Sequence, residues 1–401
     1  MKYIIIVPDG AADYPVDILG GKTPLEVAEV PFMDSLAGKG LVGRVKTVPK
    51  GFTPSSDVAN LSLLGYDPKI YYSGRGPLEA ANLGVEIGER DLAFRFNLVT
   101  EAEGKISDYS AGHINNREAK ILTDFLNQKL GSERLKFYFG TSYRNLLLIK
   151  GGKDLELDKL EYCAPHDIMG KNIKEHFPSG KNSNIVVDLM KRSRELLESH
   201  EINKVRIDLG ENPANMIWLW GGGSKPVMPL FKDKFGLRGA VISAVDLIKG
   251  IGKIIGLEVI EVEGANGYYD TNYKGKAEAA LKALEECDFV FIHIEATDEA
   301  GHNQDLRMKI TCIERIDKLV LGTLLKGLKD KDFRILITPD HPTPLSLRTH
   351  TDEPVPFIIS GKGVKHTTDI SYTEIEAQGS PVYFDKGADL LAHFLKSEVI
   401  E

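Results

Sequence analysis

Short apolar runs punctuate both ends of the chain: Tyr3–Val7 (YIIIV), Phe289–Ile294 (FVFIHI), Arg334–Thr338 (RILIT) and Val355–Ser360 (VPFIIS). Near-continuous apolarity over so few residues fits strands covered on both faces, which predicts a parallel sheet sandwiched by helices. Between the runs, 277–286 and 308–328 carry helical spacing. Strands alternating with helices predict an α/β fold with a doubly wound, mostly parallel sheet.

The middle of the chain reads differently. Hairpin-like alternation covers 93–106 and 137–149, and helical patterns cover 118–129 and 185–199. This predicts an inserted α+β domain over 91–210, with a discontinuous larger domain built from 1–90 and 211–401. The joints are expected near Gly84–Asp91 and Gly210–Pro213. The 401 residues suit two domains, and 42% apolar with 27% charged residues excludes disordered and fibrous classes.

No apolar run reaches the length of a membrane span. The first residues enter a strand pattern directly, so no signal peptide is expected. Cys163, Cys287 and Cys312 are far apart and lack metal-type spacing, which points to a reducing, cytoplasmic compartment. A net charge of −8 argues against a nucleic-acid partner. An anionic small molecule would need local positive charge or metal. Oligomeric state is not legible at this level.

Polar clusters follow or precede the strand runs: Pro8-Asp9-Gly10, Glu295 through His302, Pro339-Asp340-His341, and Arg348-Thr349-His350-Thr351 before the last run. Open parallel sheets bind ligands outside the carboxyl ends of their strands, so dispersed clusters can converge there. Each cluster has a plainer reading: a turn at Asp9, a first-turn acid at Asp298, a loop at Asp340-His341. Yet Asp298 and His302 have the spacing that places both on one helix face. Together, Asp9, Asp298 and Asp340 with His302, His341 and His350 make a plausible dinuclear site. The mixed carboxylate and imidazole set suits Mn²⁺ or Zn²⁺ better than Ca²⁺. A nucleophile could come from Ser55 or Ser56, at the helix start of Thr53-Pro54-Ser55-Ser56-Asp57-Val58. Backbone N–H groups and the helix dipole there favour phosphate; the alternative is a simple N-cap.

Asp9, the serine before Asp57-Val58, Asp298-x-x-x-His302, Asp340-His341 and His350-Thr351-x-x-Pro354-Val355-Pro356 resemble the metal pattern of the alkaline phosphatase superfamily. With Ser73-Gly74-Arg75-Gly76-Pro77-Leu78-Glu79-Ala80 and Asn215-Met216-Ile217-Trp218-Leu219-Trp220-Gly221, the chain is similar nearly end to end to the archaeal-type, cofactor-independent phosphoglycerate mutases. The resemblance implies one metal on Asp9, Ser56, Asp340 and His341, and another on Asp298, His302 and His350. It implies Ser56 as nucleophile, since Ser56-Asp57-Val58 aligns with the Ser-Glu-Val of the bacterial branch; Ser55 is the runner-up. Two divalent ions are implied, Mn²⁺ first, with Zn²⁺, Co²⁺ or Mg²⁺ as alternatives, and no bisphosphoglycerate.

In this family the insertion closes on the metal domain and supplies substrate contacts. The candidates here are His113, Arg144, His166 and Lys171, with Arg75 and Lys249 from the larger domain. There are departures. The insertion is shorter than in the bacterial branch, the Arg-Pro-Asp-Arg stretch has no counterpart, and Asn60 stands in place of a histidine. The implied reaction interconverts 3-phosphoglycerate and 2-phosphoglycerate through a phosphoserine. The alternatives are a phosphatase or another phosphomutase with the same core, a related decarboxylase in which the serine would have no task, and a non-catalytic protein holding metals structurally.

Overall fold

In the computed structural model, which describes residues 1–365 and 370–396, the strands are, in chain order, β1 (Lys2–Pro8), β2 (Leu41–Val45), β3 (Leu92–Ala102), β4 (Lys105–Asp108), β5 (Leu135–Thr141), β6 (Arg144–Ile149), β7 (Met216–Gly223), β8 (Gly239–Ile242), β9 (Glu258–Val259), β10 (Phe289–Ile294), β11 (Phe333–Ile337), β12 (Val355–Gly361) and β13 (Tyr383–Phe384). The chain divides into two compact units, 1–72 with 228–401, and 73–227.

The first unit is an α/β domain around a sheet of order β13-β2-β12-β11-β1-β10-β8-β9. Its centre, β11, β1, β10 and β8, is parallel. β10 is buried at every position and β1 at all but its first residue. This is what the continuous apolar runs require, because helices cover both faces. Tyr273–Glu286 and the helical stretch from Leu306 to Gly327 pack on one of them.

One expectation is corrected. The last run, β12, is antiparallel to both β11 and β2. A parallel return needs a crossover, usually a helix, and 338–354 contains no regular helix. Continuous apolarity reports burial of both faces, not strand direction. The reversal matters: the amino end of β12 meets the carboxyl ends of β1, β10 and β11. β2 runs in the same sense as β11, so the segment after β2, which leads to Ser56, leaves from that edge too.

The second unit is an antiparallel sheet in which β3 pairs with β4, β6 and β7, and β5 flanks β6. β3 is buried along nearly its whole length instead of alternating. Phe94, Phe96 and Leu98 join one apolar cluster with helices Asn116–Leu130 and Ser183–Leu197. Ala93 joins another with Ala80 of helix Arg75–Leu83. That helix and β7 pack on or pair with β3, so this unit takes in 73–90 and 211–227, which the sequence pattern had left with the larger domain. Among the described residues no helix is long and apolar enough to cross a membrane.

Candidate active site

Asp9 leaves β1, helix Ala296–His302 follows β10, Asp340 and His341 follow β11, and His350 precedes β12. Their backbones are fixed locally. The N–H groups of Gly10 and His341 donate to Asp340 Oδ1 (3.1 and 2.9 Å). Asn60 Nδ2 donates to Asp340 Oδ2 at 2.7 Å and to the Ser56 carbonyl at 2.8 Å. The hydroxyls of Thr47 and Thr297 bond the carbonyls of Asp340 and Asp9. Gly10 has φ +62°, and a Cβ there would overlap Thr343 Oγ1 and Asp298 Oδ1, so the turn needs glycine. A buried lysine braces the same loops: Lys309 Nζ reaches Asp13 Oδ2 (2.6 Å) and the Thr343 carbonyl (2.8 Å).

The ligand candidates form two groups, Asp298 with His341 and His350, and Asp9 with Asp340 and His341; in each, the possible ligand atoms lie within 4.8 Å of one another. The helix spacing carries His302 Nε2 to 3.2 Å from Asp298 Oδ2. His350 Nε2 is 2.9 Å from His302 Nε2 and 3.4 Å from Asp298 Oδ1. The other nitrogens settle the tautomers. His302 Nδ1 faces the Arg348 carbonyl at 2.9 Å and His350 Nδ1 the Pro54 carbonyl at 3.3 Å, so each must donate there. Thr343 Oγ1 bonds Asp298 Oδ1 and lies 3.3 Å from His341 Nδ1. A carboxylate only accepts, so the Thr343 proton goes to Asp298 and His341 Nδ1 donates to Thr343. In the neutral rings all three Nε2 atoms then carry the lone pair, facing one another and the carboxylates, and a proton taken up by His302 sits on Nε2 between Asp298 and His350.

Such an arrangement draws in positive charge. Asp9 is essentially fully buried, and its Oδ1 has no hydrogen-bond partner among the described residues. Burial, then Asp340 and Asp298, holds its pKa well above the carboxylate range. Burial pushes His341 down to about 4. Burial opposes the charge of His302 as well, yet Asp298 holds its pKa up at about 9. Three buried aspartates beside rings whose lone pairs converge are a donor set suited to divalent cations.

Ser56 opens helix Ser56–Leu63, and its Oγ lies 3.2 Å from His341 Nε2. Ser55, the residue before the helix, instead turns its Oγ to the Thr53 carbonyl at 3.3 Å.

A family model described as 2,3-bisphosphoglycerate-independent phosphoglycerate mutase matches residues 37–203. A Methanosarcina barkeri protein of that name is 48% identical over 402 residues, 99% of this chain and all of its own. The chain belongs to the 2,3-bisphosphoglycerate-independent phosphoglycerate mutases. A Methanothermobacter thermautotrophicus member is 52% identical over 93% of this chain and 92% of its own. Among solved structures, a Pyrococcus horikoshii protein matches with TM-score 0.82 and 32% identity over 98% of this chain and 96% of its own. The cofactor-independent phosphoglycerate mutase of Thermoplasma acidophilum matches with TM-score 0.65 and 29% identity over 99% and 100%.

The other basic candidates of this phosphoglycerate mutase separate into groups. Arg75, Arg144, His113 and His166 gather on the second unit around aromatic rings. Arg75 lies over Trp220 (5.3 Å), Arg144 over Tyr143 (5.7 Å), His166 packs edge-on against Trp220 and Tyr109, and His113 against Tyr143. Arg95, which sequence reasoning missed, joins them. It is buried, 4.8 Å from the Trp220 ring and 2.8 Å from Glu79. Burial and the nearby Arg75 and Arg144 lower its pKa to about 10 against the pull of Glu79. An arginine between Phe94 and Phe96, in a stretch whose only other polar residue is Asn97, was the available signal. Lys171 is exposed, with Nζ on the Asp167 carbonyl. Lys249 belongs to the first unit and pairs with Glu261 at 2.7 Å. Thr343 and His293 were also missed. Thr343 carries no local signal, whereas His293 is a lone imidazole in an apolar strand.

Proposed function

We propose that this phosphoglycerate mutase interconverts 3-phosphoglycerate and 2-phosphoglycerate by passing the phosphoryl group through Ser56. The observation that carries the reading is the convergence of two carboxylate–imidazole clusters that share His341, whose Nε2 lies 3.2 Å from the Ser56 hydroxyl. Asp9, Ser56, Asp340 and His341 would hold one divalent cation, and Asp298, His302 and His350 the other, with His341 bordering both; Mn²⁺ is the first candidate. Bound there, the cations would supply Lewis-acid charge to the transferring group and lower the pKa of the serine hydroxyl.

Ser56 gives up its proton, its oxygen bonds to phosphorus, and the bond from phosphorus to the glycerate oxygen breaks as that oxygen takes up the proton to leave as a hydroxyl. The other glycerate hydroxyl then takes the group back and frees the serine, so no bisphosphorylated primer is consumed. The helix start at Ser56 presents backbone N–H groups to the phosphoryl oxygens. Arg75, Arg144, His113 and His166 supply positive charge and rings for the carboxylate end of the substrate; Lys171 and Lys249 are the weaker candidates of that set.

The test separates isomerisation from hydrolysis. With Mn²⁺ and no bisphosphoglycerate, 2-phosphoglycerate and free phosphate are measured from one 3-phosphoglycerate sample. Isomer should greatly exceed phosphate, and Arg144→Ala should lower isomerisation more than hydrolysis of a generic phosphate ester. Dominant phosphate release from the unmodified enzyme would establish a phosphatase instead.

A further inference from the structure

We infer that His293 is a positioning residue that holds Asp9 in the geometry needed to receive a metal ion, with Ser243 setting its tautomer; the inference rests on the metal-dependent reading above. His293 is the penultimate residue of β10, completely buried, with Ile292 and Ile294 on either side. A buried imidazole in such a strand needs partners for both nitrogens. Its Nδ1 lies 3.3 Å from Ser243 Oγ, and its Nε2 approaches Asp9 Oδ2 to 3.0 Å without reaching hydrogen-bond alignment. Ser243 Oγ accepts the Val245 N–H at 3.0 Å, and in the tautomer inferred here its own proton goes to His293 Nδ1. In that tautomer the ring proton sits on Nε2, beside Asp9 Oδ2. The backbone is pinned as well, since the buried Lys276 donates from Nζ to the His293 carbonyl at 3.0 Å.

This divides the work of the Asp9 carboxylate. Oδ2 stands beside His293 Nε2, and Oδ1, 3.5 Å from His341 Nε2, is turned toward the cluster. A protonated Nε2 cannot itself ligate, and His293 is outside the group formed by Asp9, Asp340 and His341. It acts on the metal through Asp9, as partners of metal-binding carboxylates do in general.

The test is Co²⁺ binding to chelator-stripped enzyme, read by equilibrium dialysis and visible absorption, with melting in chelator to report the fold. His293→Leu should lose affinity roughly 10- to 100-fold at one of two ions and leave the other unchanged. His293→Gln, which keeps an N–H donor, should stay within a few-fold of the unmodified protein. Ser243→Ala, which frees the tautomer, should fall between. Unchanged Co²⁺ affinity in His293→Leu, or Gln no better than Leu, would overturn the inference. Should His293→Leu fail to fold, Ser243→Ala with unaltered affinity overturns it equally. Absence of Co²⁺ binding in the unmodified enzyme would instead defeat the metal-dependent reading itself.

Discussion

Replacing Thr343 by Val tests whether the converging acceptors are a metal centre held by its neighbours. Thr343 is fully buried, and its hydroxyl bridges Asp298 Oδ1 and His341 Nδ1. Val has nearly the same shape, so no cavity opens; what goes is one hydroxyl with two bonds. The bond to the carboxylate is charge-assisted and contributes about 1.5–3 kcal/mol, and the longer one to His341 about 0.5–1 kcal/mol. If roughly half of that is expressed in ligand positioning, metal binding weakens by about 1–2 kcal/mol, or about 5- to 30-fold. The assay is a Mn²⁺ titration of chelator-treated enzyme, following bound metal and 2-phosphoglycerate formation. Half-maximal activation should shift by that factor, with much of the turnover recovered at saturating Mn²⁺. Thr343→Ser, which keeps the hydroxyl, should stay close to the unmodified enzyme. A Val variant with unchanged metal dependence would refute the reasoning.

Ser56→Ala should abolish isomerisation while changing unfolding free energy by about 1 kcal/mol or less, and Ser55→Ala should retain turnover; the opposite pattern would move the nucleophile to Ser55. Lys309→Met leaves Asp13 buried without its cation and should destabilise the first unit by about 3–5 kcal/mol in chemical denaturation, partly relieved by adding Asp13→Asn; a loss below about 1 kcal/mol counts against the brace. Burial raises Asp317 to about 6 from 3.8, although it accepts N–H bonds from Met33 and Phe32. The native state therefore binds the extra proton, and the stability this adds is fully present below 3.8 and lost as pH rises through about 6. Asp317→Asn should remove that falling component, at most about 1.4 kcal/mol per pH unit, from unfolding measured between pH 4 and 6; identical pH slopes would dismiss it.

The local sequence determined that β1, β10, β11 and β12 are strands, because only two-sided burial accommodates such apolar runs. It also placed the Asp and His residues beside strand ends, and the helical spacing of Asp298 and His302 survives unaltered in the structure. Direction and pairing were decided elsewhere. β12 runs antiparallel because its connection lacks a crossover helix, and that reversal brings His350 to the edge where Asp9, Asp298 and Asp340 stand. The contacts of Thr343 with Asp298, Asn60 with Asp340 and His293 with Asp9 join residues far apart in the chain, so no short window of sequence contains both partners. The boundary of the insertion was likewise set by which strand helix Arg75–Leu83 packs on and which strand β7 pairs with. Local chemistry dictates element type and the kinds of atoms available, whereas long-range pairing dictates which of those atoms face one another.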